Sequence, residues 1–151
     1  MYYISIDPSG RLGWQMNYVD YGNIKSHVIE VLTERASNGY KYLLRRLNIS
    51  YTIAGKDQLD KGLVLHKLAT LFNMERVMIG GGNVLNWSYI HSGLADEVSI
   101  VMSPIADGAS DSQSLFITRE PISKVQPVSF SLIDVKPLKD STIWLRYKVN
   151  K

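Results

Sequence analysis

The run Gly80-Gly81-Gly82-Asn83 is where this sequence most openly offers its backbone to a ligand. It follows an apolar segment, residues 76–79 (RVMI), and precedes a short helical pattern over residues 84–92. Glycines accept positive φ and leave room for close backbone approach. A helix start points N–H groups without partners at such a turn, and with the helix dipole these favour an anion, usually a phosphate. A turn that merely redirects the chain is the plainer alternative. The run is not a GxGxxG dinucleotide fingerprint in a first βα unit. It is not a P-loop either, because no Gly-Lys-Ser/Thr follows.

Two other segments could add to such a site. Asp7-Pro8-Ser9-Gly10-Arg11 leaves the end of a strand-like run, at the edge where open α/β sheets bind ligands. Ser9 could donate to a phosphate and Arg11 could clamp one, although a solvated turn explains the same residues. Leu32-Thr33-Glu34-Arg35-Ala36-Ser37 also follows a strand. Thr33, Arg35 and Ser37 could meet a 2′-phosphate or an adenosine, while helix capping already accounts for Ser37. His27, His66 and His91 lie far apart and at no metal-ligand spacing, so no metal is expected, and surface or capping roles suit His66 and His91. Asp96 and Glu97 are adjacent in a strand and point to opposite faces, which favours a structural role over an acid/base pair. Tyr2, Tyr3, Tyr18 and Tyr21 could stack on a base or a nicotinamide, or fill a core or interface.

The elements that hold these residues alternate. Strands are predicted at residues 2–6, 27–32, 49–54, 76–79 and 97–103. Residues 11–25 are aromatic and irregular and receive no assignment. Tyr40, Leu43, Leu44 and Leu47 form one helical stripe with Ser37 as N-cap. Val64, Leu68, Leu71 and Phe72 form another after Asp60. Asn48 and Asn73 end these helices alike, each as a left-handed cap before an apolar step into a strand. Alternation of this kind implies parallel strands joined by right-handed crossovers. From residue 109 to 126 the chain is loop-rich, with a short strand at residues 115–118. Residues 128–135 and 142–149 then alternate as an antiparallel hairpin. Ile143, Leu145, Tyr147 and Val149 share its inner face. Trp144, Arg146 and Lys148 share the outer one, to which Phe130 and Leu132 are assigned.

At 151 residues the chain fits one domain able to bury its own core. Its 45% hydrophobic and 21% charged composition is globular, and the absence of cysteine excludes disulfides and thiolate-held metals. A net charge of +3 is too dispersed to suggest nucleic acid as a partner. No apolar run is long enough for a membrane span and no signal peptide opens the chain, so a soluble, cytoplasmic protein with no membrane partner is expected. Trp144 on an outer strand face, beside Arg146, suggests a homodimer.

Residues 76–108, RVMIGGGNVLNWSYIHSGLADEVSIVMSPIADG, resemble the reductase domain of riboflavin biosynthesis. The elements of the likeness are Gly80-Gly81-Gly82, Asn86-Trp87, Gly93-Leu94-Ala95-Asp96-Glu97, Pro104 and Gly108. The earlier SIDPSGRL is a weaker echo of the family's strand-Asp-Ser-x-x-Arg segment. The resemblance implies a dihydrofolate-reductase-like α/β fold: a mostly parallel sheet flanked by helices, with a C-terminal antiparallel hairpin. It places residues 1–151 as a single domain lacking the family's N-terminal strand and helices. It implies NADPH as cofactor and reduction of a small heterocyclic or sugar-like substrate, as in the pyrimidine reductase of that pathway. The alternative is a non-catalytic nucleotide-binding or assembly domain derived from the family. Carried over from the family, the cofactor contacts are Gly81, Gly82, Asn83, Val84 and Leu85, with Ser9 and Thr33 contributing. Gly80 stands where riboflavin-pathway members carry a substrate-binding Glu. No catalytic proton donor is assigned.

Overall fold

The computed structural model describes residues 1–118 and 126–151. By its internal packing the chain divides into two compact units, Met1–Arg76 and Val77–Lys151.

Unit 1 runs β1 (Tyr2–Ile6), β2 (Tyr18–Tyr21), β3 (Ile24–Leu32), α1 (Asn38–Arg46), β4 (Ser50–Ile53) and α2 (Lys61–Phe72). β3 is its central strand. It pairs in parallel with β1, from Tyr2↔His27 to Ile6↔Val31, and with β4, from Ile29↔Ser50 to Leu32↔Ile53. β2 pairs with the start of β3 in the antiparallel sense, so the four-stranded sheet is mixed, not mostly parallel as expected. The cause lies in residues 11–25, unassigned from sequence. Gly22 and Asn23 both take positive φ, +57° and +68°, and close a tight hairpin that brings β2 back alongside β3.

β3 is buried on both faces. Val28 and Leu32 pack with Ala36, Leu44 and Ile49 under α1, and Trp14, Tyr40 and Leu47 close over them. Ile29 and Val31 alternate to the opposite face and are fully buried too. The cap at Ser37 follows the sequence reading, its Oγ accepting from the Tyr40 amide at 3.1 Å. Asp60, read only as the residue before the second helix, is a cap as well, its Oδ1 accepting from the Leu63 amide at 2.9 Å. Asn48 and Asn73 take φ of +54° and +51°. The expected α2 stripe is narrower than read: Val64 and Leu68 are buried, but Leu71 is 64% exposed.

Unit 2 holds α3 (Asn83–His91) and β5 (Glu97–Met102), β6 (Phe130–Pro137) and β7 (Ile143–Val149). These strands form their own antiparallel sheet in the order β5-β7-β6. Ile90 of α3 packs with Val98 and Val149, joined by Trp87, Ile100, Phe130 and Tyr147. Phe130 is opposite Val149 and Leu132 opposite Tyr147, so both belong to the core-facing side and not to the outer one. A bulge between Leu132 and Asp134 then changes the alternation and brings Asp134 opposite Arg146. On the outer side Trp144 Nε1 donates to Ser99 Oγ at 2.8 Å, and the Arg146 guanidinium lies 5.7 Å from the indole centroid. Asp96 and Glu97 have the structural roles expected of them, pairing with Lys151 and Arg146 at 2.7 Å each.

Two expected strands are not formed. Residues 76–79 make no ladder with any described strand, and Met78 is 85% exposed. Residues 115–118 are irregular as well. Apolar β-formers become a strand only when an edge is there to receive their hydrogen bonds. The rest of the loop assigned from sequence, residues 119–125, lies outside the described residues. No helix among the described residues is long and apolar enough to cross a membrane.

Candidate functional site

In unit 2 the glycine run leads directly into α3. Gly82 is the N-cap, in extended backbone, and contributes no side-chain hydrogen bond to the helix start. Gly81 has φ of +117°, and the Gly81–Gly82 peptide is cis. The helical ladder begins with the Asn86 amide donating to Gly82 O at 2.9 Å. The first-turn amides therefore lie outside that ladder. Of these, Val84 N donates to Asn83 Oδ1 at 2.8 Å.

Beside this turn lies a cavity of about 550 Å³, bordered by Asn83, Val84, Ser112, Gln113, Ser114 and Thr118, with Asp111 and Ile117 also on its wall. The Ile117 amide donates to Asn83 O at 3.4 Å and ties the irregular wall to the helix start. The wall is further shaped by Asp107, whose carboxylate accepts from the Ala109 amide at 3.0 Å and the Ser112 hydroxyl at 2.8 Å. Those two donors hold its carboxyl below the usual range. Backbone amides, a primary amide and hydroxyls around an uncapped helix start suit a polar, phosphate-bearing ligand, and the volume suits a small molecule. Among the described residues of this wall, Asp111 supplies the carboxylate. Of the contacts expected at this turn, Asn83 and Val84 border the cavity, and residues 111–114, which no periodic pattern announces, border it too.

In unit 1 the loops after β1, β3 and β4 lie side by side at the C-terminal edge of the parallel strands. The Thr33 amide and hydroxyl both donate to Pro8 O, at 2.9 and 2.6 Å, and the Glu34 amide donates to Gly55 O at 3.0 Å. Thr33 is fully buried, so its hydroxyl is a brace between loops. Arg11 and Arg35 are exposed at this edge and Ser9 is half-buried. Asp7, almost fully buried, orders the loop: its carboxylate accepts from the amides of Gly10 at 3.1 Å, Arg11, and Leu12 at 2.8 Å.

His27 Nε2 is 3.2 Å from Ser50 Oγ, His66 is exposed, and His91 stacks on Trp87. Among the described residues no group of His, Asp or Glu could hold a metal.

The RibD C-terminal domain family matches residues 6–140 of the chain. The 2,5-diamino-6-ribosylamino-4(3H)-pyrimidinone 5′-phosphate reductase of Methanothermobacter thermautotrophicus is 34% identical over 70 residues, which is 46% of this chain and 32% of that protein. Acinetobacter baumannii RibD, in its form 2, has a TM-score of 0.72 at 21% identity, covering 97% of this chain and 37% of its own. A pyrimidine reductase-like protein from Corynebacterium diphtheriae gives 0.71 at 15% identity, over 98% of this chain and 60% of its own. The chain thus spans about a third of the enzyme it matches by sequence, and between a third and two thirds of these structures. The structural likeness concerns the α/β fold; the sequence match, over most of the length, shows that the chain belongs to the RibD C-terminal domain family.

Proposed function

We propose that this domain is an NADPH-dependent reductase acting on a small heterocyclic or sugar-like substrate, as its sequence relative is a reductase of a pyrimidinone ribosyl phosphate. The observation that carries the reading is the start of α3 at Gly82, without a side-chain cap, beside the cavity walled by Ser112, Gln113 and Ser114. Gly81, Gly82, Asn83, Val84 and Leu85 would hold the cofactor there through backbone amides. NADPH supplies a hydride when bound. The protein's part is to fix the dinucleotide and its acceptor in register, which for two reactants is a large share of catalysis. The test is titration with NADPH followed by nicotinamide fluorescence, then incubation with the relative's pyrimidinone substrate and loss of reduced-nicotinamide absorbance. Saturable binding with oxidation supports the reading. Binding without oxidation of any pyrimidine or sugar phosphate tried would favour the non-catalytic alternative, and no binding would remove both.

A preference for NADPH over NADH is part of this proposal, and Arg11 and Arg35 are the exposed cations by which it is tested. A charge-assisted arginine–phosphate contact contributes about 1.5–3 kcal/mol, so NADPH should bind roughly ten- to a hundred-fold tighter than NADH. Arg11→Ala should erase most of that ratio while leaving NADH affinity unchanged. Equal dissociation constants for the two cofactors in the unmodified protein would show that neither arginine reads a 2′-phosphate.

The proposal includes a homodimer through the outer face of the β5-β7-β6 sheet. Trp144 is half-buried there under Arg146, and aromatics with arginine are enriched at interfaces. Light scattering should give the mass of two chains for the unmodified protein and of one chain for a folded Trp144→Glu variant. A single-chain mass for both would leave Trp144 explained by Ser99 and Arg146 alone.

A further inference from the structure

Glu30 is an acid inside a core. It lies on β3 between Val28 and Leu32, on the face covered by α1, and is 0% exposed. Among the described residues it has no ion pair. Its partners are neutral donors: Trp14 Nε1 donates to Oε2 at 2.7 Å and the Tyr40 hydroxyl to Oε1 at 3.0 Å. The Ser5 hydroxyl is a further hydrogen-bond partner, and the nearby Asp7 carboxylate opposes its charge. A buried carboxylate is costly, and a purely apolar residue would serve packing better. Its placement accounts for that cost. Asp7 and Glu30 hold the two ends of one loop: Asp7 takes the amides of Gly10, Arg11 and Leu12, and Glu30 takes the indole of Trp14. Between those anchors lie Ser9 and Arg11. Gly10 is pressed against the Tyr40 ring, which a Cβ there would meet at 2.5 Å.

We propose that Glu30 is a positioning residue: by accepting the Trp14 indole N–H it fixes the far end of the loop over residues 8–14, so that Ser9 and Arg11 are preset to read a phosphate. This rests on the cofactor reading above. Trp14 can only donate, whereas the Tyr40 hydroxyl can also accept, so an amide at this position could keep both bonds and an apolar residue keeps neither. Glu30→Leu and Trp14→Phe therefore break the same bond from opposite sides. Tyr40→Phe removes the donor on the other oxygen and keeps the ring against Gly10, so it weakens the core without releasing the loop.

The experiment compares these three variants, and the Glu30→Leu/Trp14→Phe double variant, in two measurements. Hydrogen exchange of the Gly10, Arg11 and Leu12 amides is followed without cofactor. Dissociation constants for NADPH and NADH are read by nicotinamide fluorescence. The expected result is faster exchange at those amides and a several-fold smaller NADPH preference in Glu30→Leu and Trp14→Phe, with the double variant no worse than either. Tyr40→Phe should lower the unfolding temperature and leave both exchange and preference as they were. Unchanged exchange and preference in Glu30→Leu and Trp14→Phe, with lowered unfolding temperatures, overturns the positioning role and leaves the cofactor reading standing. No NADPH preference in the unmodified protein overturns the cofactor reading and the positioning role with it.

Discussion

Gly82→Asp is expected to leave the fold intact or slightly firmer while weakening NADPH binding roughly ten- to a hundred-fold, the range set by one charged hydrogen-bonded contact. The two effects have opposite signs because they come from one carboxylate. Gly82 is the N-cap of α3, with φ of −74° and ψ of −172°, and a Cβ added there meets nothing within 4 Å. Aspartate is a preferred N-cap, and its oxygen can take an amide of the first turn. With the favourable dipole the gain is on the order of a few tenths to 1 kcal/mol. The same oxygen would occupy, with like charge, the position offered to the cofactor's phosphate. Gly81 is the poorer choice for this test, since its φ of +117° strains any side chain before a ligand is considered. Fluorescence titration and denaturant unfolding on one preparation decide the matter. Unchanged affinity in a folded variant would remove the glycine turn from the cofactor site.

What could be read from the sequence was what depends on near neighbours. Ser37, Asn48 and Asn73 are caps whose chemistry is complete within a few residues, and all three were legible. The glycine turn and the start of α3 were legible for the same reason. The tight turn at Gly22-Asn23 was local too and was passed over, although two positive-φ residues between strand-like runs are a hairpin signal. Residues 76–79 failed in the opposite direction. Their composition says strand, but a strand exists only through a partner that composition does not name. The cavity wall at residues 111–114 rests on bonds from Ile117 to Asn83 and from Ser112 to Asp107, and no pattern foretells it. Glu30 was hidden by its neighbours. In HVIEVL it reads as a break in an apolar run, and its partners stand 16 and 10 residues away.

The burial of Glu30 also sets a pH signature for folding. Desolvation is the main cause that raises its carboxyl above the ordinary value of 4.5, and the charge of Asp7 pushes the same way. Hydrogen bonds from Tyr40, Trp14 and Ser5 oppose that rise without cancelling it. The folded state therefore holds this proton to a higher pH than the unfolded chain does. Stability contributed by the protonated acid is fully present below pH 4.5 and is lost as pH climbs through the folded value. The other carboxylates titrate as well, so the useful quantity is the difference in unfolding free energy between the unmodified protein and Glu30→Gln. That difference should fall as pH rises above 4.5, no more steeply than about 1.4 kcal/mol per pH unit for one proton, and then level off. Any difference in hydrogen bonding between the amide and the protonated acid is independent of pH, so it shifts the curve without tilting it. Tyr40, also raised by burial and by Glu30, stays protonated throughout this range. Denaturant unfolding of both proteins from pH 4 to pH 8 measures the tilt. A difference that stays level across that range would mean the folded protein releases this proton as readily as the unfolded chain, and burial of the carboxylate would then carry no proton-linked cost.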